Sequence, residues 1–226
     1  AVRSFDRFTY SQLVDQAGRL SSATARATAM SDVEALLTPG TDHIGDRVDA
    51  LFAAFHDLAA HPADPAVRSA VLSSAGWLAS GFAETANGLD SFRGDLATRA
   101  RDVATEVNQR LTAIATLDQG VIAARGRGED ASDLIDRRDQ LVLEISERVG
   151  ARVLEGANGG ITIFGAGTVL YEGGHAAKLG ISLDGNGSLR IEADRNGNVL
   201  DVTTAVETGT LAGVRQALSL IHISEP

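Results

Sequence analysis

The chain has 226 residues, 44% of them hydrophobic but only 4% aromatic, and carries 30 acidic against 20 basic side chains for a formal net charge of −10. That length accommodates one or two domains with a substantial core, and a core rich in Ala and Leu suits close-packed helices better than a deep ligand pocket. The charge argues against nucleic acid as the main partner, the lack of cysteine excludes disulfides and thiolate metal sites, and no apolar run approaches the ~20 residues of a membrane span.

Residues 3 to about 37 predict a first helix, with Phe5, Phe8, Leu13, Ala17, Leu20, Ala27 and Val33 at a rough helical period and Thr38-Pro-Gly40 as the stop. A second helix is expected from about Ile44 to Ala60, with Val48, Leu51, Phe52, Phe55 and Leu58 on one face. His61-Pro-Ala-Asp-Pro65 ends it, and Pro65 fits the first turn of the next helix behind a cap from Asp64.

The organising element is a helical hairpin over 66 to 149. Its outgoing arm carries a seam of Val67, Val71, Leu78, Phe82, Leu89, Phe92, Leu96, Val103, Val107, Leu111, Ile114 and Val121, longer than an ordinary globular helix provides. Gly76, Gly81, Gly88 and Gly94 each cost up to ~1 kcal/mol relative to alanine, so a bend or break is expected near Asn87-Gly88. Gly126 and Gly128 close the arm, and Asp130 or Ser132 caps the return arm of 132 to 149. There Leu134, Ile135, Leu141, Val142, Ile145 and Val149 repeat at helical spacing, with Leu141 expected on the buried face between Leu134 and Ile145.

After Gly150 the period falls to two. Segments 151–154, 161–164, 168–171, 178–183, 188–192 and 198–202 predict strands, separated by Asn-Gly and Asp-Gly turns. The fold class is therefore α+β: an elongated antiparallel helical bundle (1–149) with a long hairpin, followed by a small antiparallel β domain (150–208) in a meander-like order. Residues 209–217 open another helix. The last nine residues, 218–226, depart from its pattern and resemble the translation of a sequencing-library adapter. The chain also begins at Ala1 without methionine, and the expectation is a fragment lacking both termini.

Several blocks resemble the flagellar hook-associated protein 1 family, which forms the junction between hook and filament. Arg3-Ser-Phe-Asp-Arg-Phe8 is similar to the segment leaving that family's terminal helix. Leu51 to Leu72 is similar to its Phe-rich helix, Pro-x-x-Pro break and Arg-x-x-Val-Leu, carried by Phe52, Phe55, Pro62, Pro65 and Arg68. Ser132 to Leu143 is similar to its Asn-Asp-Leu-x-Asp-x-Arg-Asp block, through Asp133, Leu134, Asp136, Arg138, Asp139 and Leu141. The resemblance implies an axial structural protein without enzymatic activity or cofactor, exported through the flagellar channel without a cleaved signal peptide and located outside the cell. Its implied partners are copies of itself in a ring, the hook protein, a second hook-associated protein, and an export chaperone that engages the C-terminal segment. The alternative is a periplasmic helical-hairpin adaptor of a secretion or efflux system, which would normally carry β segments on both sides of its hairpin.

No catalytic, cofactor or metal site is expected. Asp136 and Asp139 share a helix face, but Arg137 and Arg138 adjoin them without a histidine, so the run 129–139 reads as capping and surface ion pairing. Asp184-x-Asn186-x-Ser188 opens like a calcium loop, yet Leu189 and Arg195 occupy the places of its glycine and glutamate. Gly165-Ala-Gly167 is not followed by the Lys of a phosphate loop. His43, His56, His61 and His175 are placed in different elements, with His222 in the terminal stretch, and no nucleophile motif accompanies them. Trp77 reads as packing.

Overall fold

The computed structural model describes residues 7–37, 43–185 and 187–221. Five α-helices and seven strands follow one another as α1 (Arg7–Leu37), α2 (Ile44–Ala60), α3 (Pro65–Gly126), α4 (Ser132–Val149), β1 (Arg152–Glu155), β2 (Ile161–Gly165), β3 (Thr168–Glu172), β4 (His175–Ala176), β5 (Lys178–Leu183), β6 (Leu189–Arg195), β7 (Asn198–Asp201) and α5 (Gly209–Ile221). The α+β class and the helix bounds agree with the sequence reading to within a few residues. Arg3 to Asp6 lie outside the described residues.

The chain gathers into two compact units: 1–29 with 95–226, and 30–94. These cut across the division at 149/150 expected from periodicity, because that boundary marks where helix gives way to strand and not where packing changes.

In unit 30–94, Asp64 caps α3 as expected, its carboxylate accepting from the Ala66 amide at 2.8 Å. The expected apolar face of α2 is only partly covered, with Val48, Leu51 and Leu58 half-buried. Phe52 and Phe55 are 69% and 50% exposed, while Arg47 and Ala54 are buried. Arg47 lies over the Trp77 ring at 5.2 Å, donates to the Trp77 carbonyl at 3.0 Å and pairs with Glu84 at 3.0 Å. An arginine so placed buries its stem while its head is held by a carbonyl, a carboxylate and a π face. Phe82, placed in the seam by its spacing, is 55% exposed.

No break occurs at Asn87-Gly88, and the glycines of α3 explain why. A Cβ on Gly81 would stand 2.7 Å from the Arg47 guanidinium, and one on Gly88 would stand 2.9 Å from Leu36. Those two make room for neighbours rather than bending the helix.

In unit 1–29 with 95–226, the seam of α3 is buried at Leu96, Val103, Val107, Leu111, Ile114 and Val121, as are Val142, Ile145 and Val149 of α4. Leu141 is only half-buried, so the packed face of α4 is centred one residue further on. The first helix also differs from expectation. Phe8, Leu13 and Leu20 are exposed, whereas Val14, Ser22 and Ala29 are buried. Small residues win there because backbones approach closely. A Cβ on Gly18 would meet the Ser146 carbonyl at 3.0 Å, and Gly213 of α5 fits against the Ser22 backbone. Helix α5 continues through Ile221 with Leu218 buried, so 218–221 extend the helix they were expected to leave; 222–226 lie outside the described residues.

The strands form two antiparallel sheets, ordered β1-β2-β3-β4 and β5-β6-β7. The two-residue β4 went unforeseen, being too short to show a period. Asn196 (φ 57°) and Gly197 (φ 85°) make the left-handed turn between β6 and β7, the geometry an Asn-Gly pair favours. Asp184 closes the β5–β6 turn by accepting from the Ser188 amide at 2.8 Å.

Candidate functional site

The strongest polar constellation lies where α3 and α4 meet the first sheet. Asp118 on α3 and Arg138 on α4 are 1% and 2% exposed, and Tyr171 on β3 is fully buried. One Asp118 oxygen accepts from Arg138 Nη1 at 2.7 Å and from the Ile161 amide at 3.1 Å. The other accepts from the Tyr171 hydroxyl at 3.0 Å. Arg138 Nη1 also donates to the Gly159 carbonyl at 2.7 Å. Two helices, the start of β2 and β3 are thus tied at one carboxylate, and Arg138 adds the β1–β2 turn. Burial, then the Asp118 charge, raises the Tyr171 phenol to about 12.

This corrects the reading of Arg138 as part of a solvated charged run. The missed signal was positional. Asp118 sits between Ile114 and Val121 on the seam, and Arg138 between Ile135 and Val142 on the return face. Opposite charges at core positions of facing helices can be buried only as a pair.

Side-chain to backbone bonds fasten the rest. Ser146 donates to the Val14 carbonyl at 2.6 Å, and Tyr10 to the Asp139 carbonyl at 2.6 Å. The Asn108 amide donates to the Leu179 carbonyl at 2.9 Å and accepts from the Leu179 N–H at 2.8 Å. Across α3 and α4, Arg110 pairs with Glu144 at 2.8 Å and Arg148 with Glu106 at 2.7 Å.

The residues singled out in the sequence fall in three places. Phe52 and Phe55 are exposed on α2, and Pro62 and Pro65 flank the α2–α3 turn, where Arg68 Nε donates to the Pro62 carbonyl at 2.9 Å. Asp133 and Asp136 are exposed, and Leu134, Asp139 and Leu141 half-buried, on α4. Only Arg138 enters the buried cluster. At the start of α4, Asp130 accepts from the Ser132 hydroxyl at 2.6 Å and amide at 3.0 Å. The Ser132 hydroxyl bond, with the amide bond second, holds the Asp130 carboxyl below its usual range.

Chemically, the arrangement is a set of buried bonds that tie helices to sheet. Among the described residues no three His, Asp or Glu side chains are grouped to hold a metal ion. His43, His56 and His61 fall on α2 or at its ends, not in separate elements as expected, and His175 is on β4. No described helix is long and apolar enough to cross a membrane.

A family model described as the flagellar hook-associated protein FlgK helical domain matches residues 30–221. The chain belongs to this family. Flagellar hook-associated protein 1 of Salmonella typhimurium is 29% identical over 153 residues, covering 67% of this chain and 28% of that protein. Its Escherichia coli K12 counterpart is 27% identical over 220 residues, covering 94% of this chain and 40% of that protein. The chain therefore spans well under half the length of these relatives. The solved flagellar hook junction protein FlgK from Burkholderia pseudomallei has the same fold, with a TM-score of 0.79 at 20% identity over 93% of this chain and 39% of that one.

Proposed function

We propose that this FlgK-family chain is a structural part of the bacterial flagellum at the hook–filament junction, where copies assemble as a ring on the hook. The observation that carries the reading is the family match over 30–221. The geometry supports it, since the buried ionisable groups Asp118 and Arg138 fasten helices to sheet. Its partners are the hook protein and a second hook-associated protein, with an export chaperone delivering it to the flagellar channel. It acts outside the cell, without enzymatic activity or cofactor. The adaptor alternative lacks support, because α1 and α2 precede the hairpin where β segments would be needed.

The test is a deletion of the full-length gene in its own host. Hooks without filaments are expected, with motility restored by re-expression and gold-labelled antibody marking the distal end of isolated hooks. Normal filaments in the deletion strain, or label confined to the periplasm, would overturn the reading.

A further inference from the structure

A cavity of about 570 Å³ lies between α1, α4 and β1, inside the ~300–1,000 Å³ range that takes a ligand. All four β1 residues, Arg152 to Glu155, line it. Side chains alternate between the faces of a strand, so a cavity touching four in succession runs along the strand's edge. β1 is an edge strand of its sheet.

The register says which backbone groups face that edge. The Gly156 amide bonds to the Gly160 carbonyl at 2.7 Å, and Leu154 stands opposite Thr162 and Arg152 opposite Phe164. Paired positions alternate in an antiparallel ladder, so the amide and carbonyl of Val153 point away from β2, towards the cavity. The four residues offer about 13 Å of edge at ~3.3 Å each.

The charges in the cavity are unequally matched. Arg125 pairs with Glu155 at 3.1 Å, and Arg138 with Asp118 at 2.7 Å. Asp139 stands 4.0 Å from Arg138 Nε. Arg152 lines the cavity and forms no ion pair among the described residues. Arg152 is exposed at the rim, and the group that complements an unpaired guanidinium is a carboxylate on an incoming strand.

We propose that this groove binds an extended segment of another protein, which adds to β1 through the Val153 backbone and places an acidic side chain against Arg152. This is strand addition at a sheet edge, with main-chain bonds for affinity and one charged contact for selection. It stands independently of the junction reading.

A phage-displayed random octapeptide library panned against the full chain tests it, with the selected peptides synthesised and titrated by fluorescence anisotropy. Expected are peptides bearing Asp or Glu, bound roughly tenfold or more weakly by Arg152→Glu. Val153→Pro should abolish binding with the melting temperature nearly unchanged, because an outward-facing edge amide tolerates proline. If Val153→Pro unfolds the chain, amide exchange on the unsubstituted chain decides: peptide should slow exchange at Val153. No enriched sequence, basic peptides, binding indifferent to Arg152→Glu, or unchanged Val153 exchange would overturn the proposal. So would self-association of the full chain that Arg152→Glu disperses, which would assign the groove to a second copy.

Discussion

Asp118 receives donors from Arg138, Ile161 and Tyr171, and its removal strands all three. Asp118→Ala and Arg138→Ala should each cost about 3–5 kcal/mol, the range for breaking a buried pair by deleting one partner, measured by urea unfolding. Tyr171→Phe removes a single bond to a charged acceptor and should cost about 1.5–3 kcal/mol. It should also change the alkaline limb of stability. A phenol held at about 12 in the fold, against ~10 unfolded, binds its proton more tightly when folded. Its contribution is complete below pH ~10 and is lost as pH rises towards 12. The parent should therefore lose stability over that window more steeply than Tyr171→Phe. Asp130 has the opposite sign. Its lowered carboxyl contributes above the unfolded value and loses the contribution in acid, so Asp130→Ala should flatten the acid limb.

At the scale of the element, burial and not spacing alone ranks the positions. Ile145→Ala on α4 should cost about 2–5 kcal/mol, and half-buried Leu141→Ala clearly less, in the same unfolding measurement. The glycines of α3 make a second pair. Nothing lies within 4 Å of a Cβ on Gly76, so Gly76→Ala should stabilise by up to ~1 kcal/mol through helix propensity. Gly81→Ala would displace the Arg47 guanidinium from Trp77 and should destabilise by about 1–3 kcal/mol despite the same propensity gain. These contrasts show what the sequence could convey. Long amphipathic runs and Asn-Gly turns set helix and strand positions, because local periodicity and turn chemistry act within a few residues. The packed faces of α1 and α2 were illegible, since they are built on Gly18, Ser22, Ala29 and Arg47, which no hydrophobic period marks. Asp118 with Arg138 was legible only as two oddities in separate seams, whose pairing depends on helix register.

At the scale of the molecule, the family was readable from two blocks at the right separation, while the division into units was not, because it joins residues far apart in sequence. Unit 1–29 with 95–226 places α1 against α4 and α5: Ser146 reaches Val14 across 132 positions, and Gly213 seats on Ser22. Closing contacts of such long range is entropically slow, and here it has a consequence for the order of events in synthesis. While a ribosome is still making the chain, α1 has emerged but the last helix it docks on has not, so this unit is held open until translation has passed Gly213. Arrested nascent chains stopping before Gly209 should be cut by protease within α1, where the released full-length chain resists. The topology itself therefore sets the moment of closure: however early the first helix is made, this unit folds only after the last one.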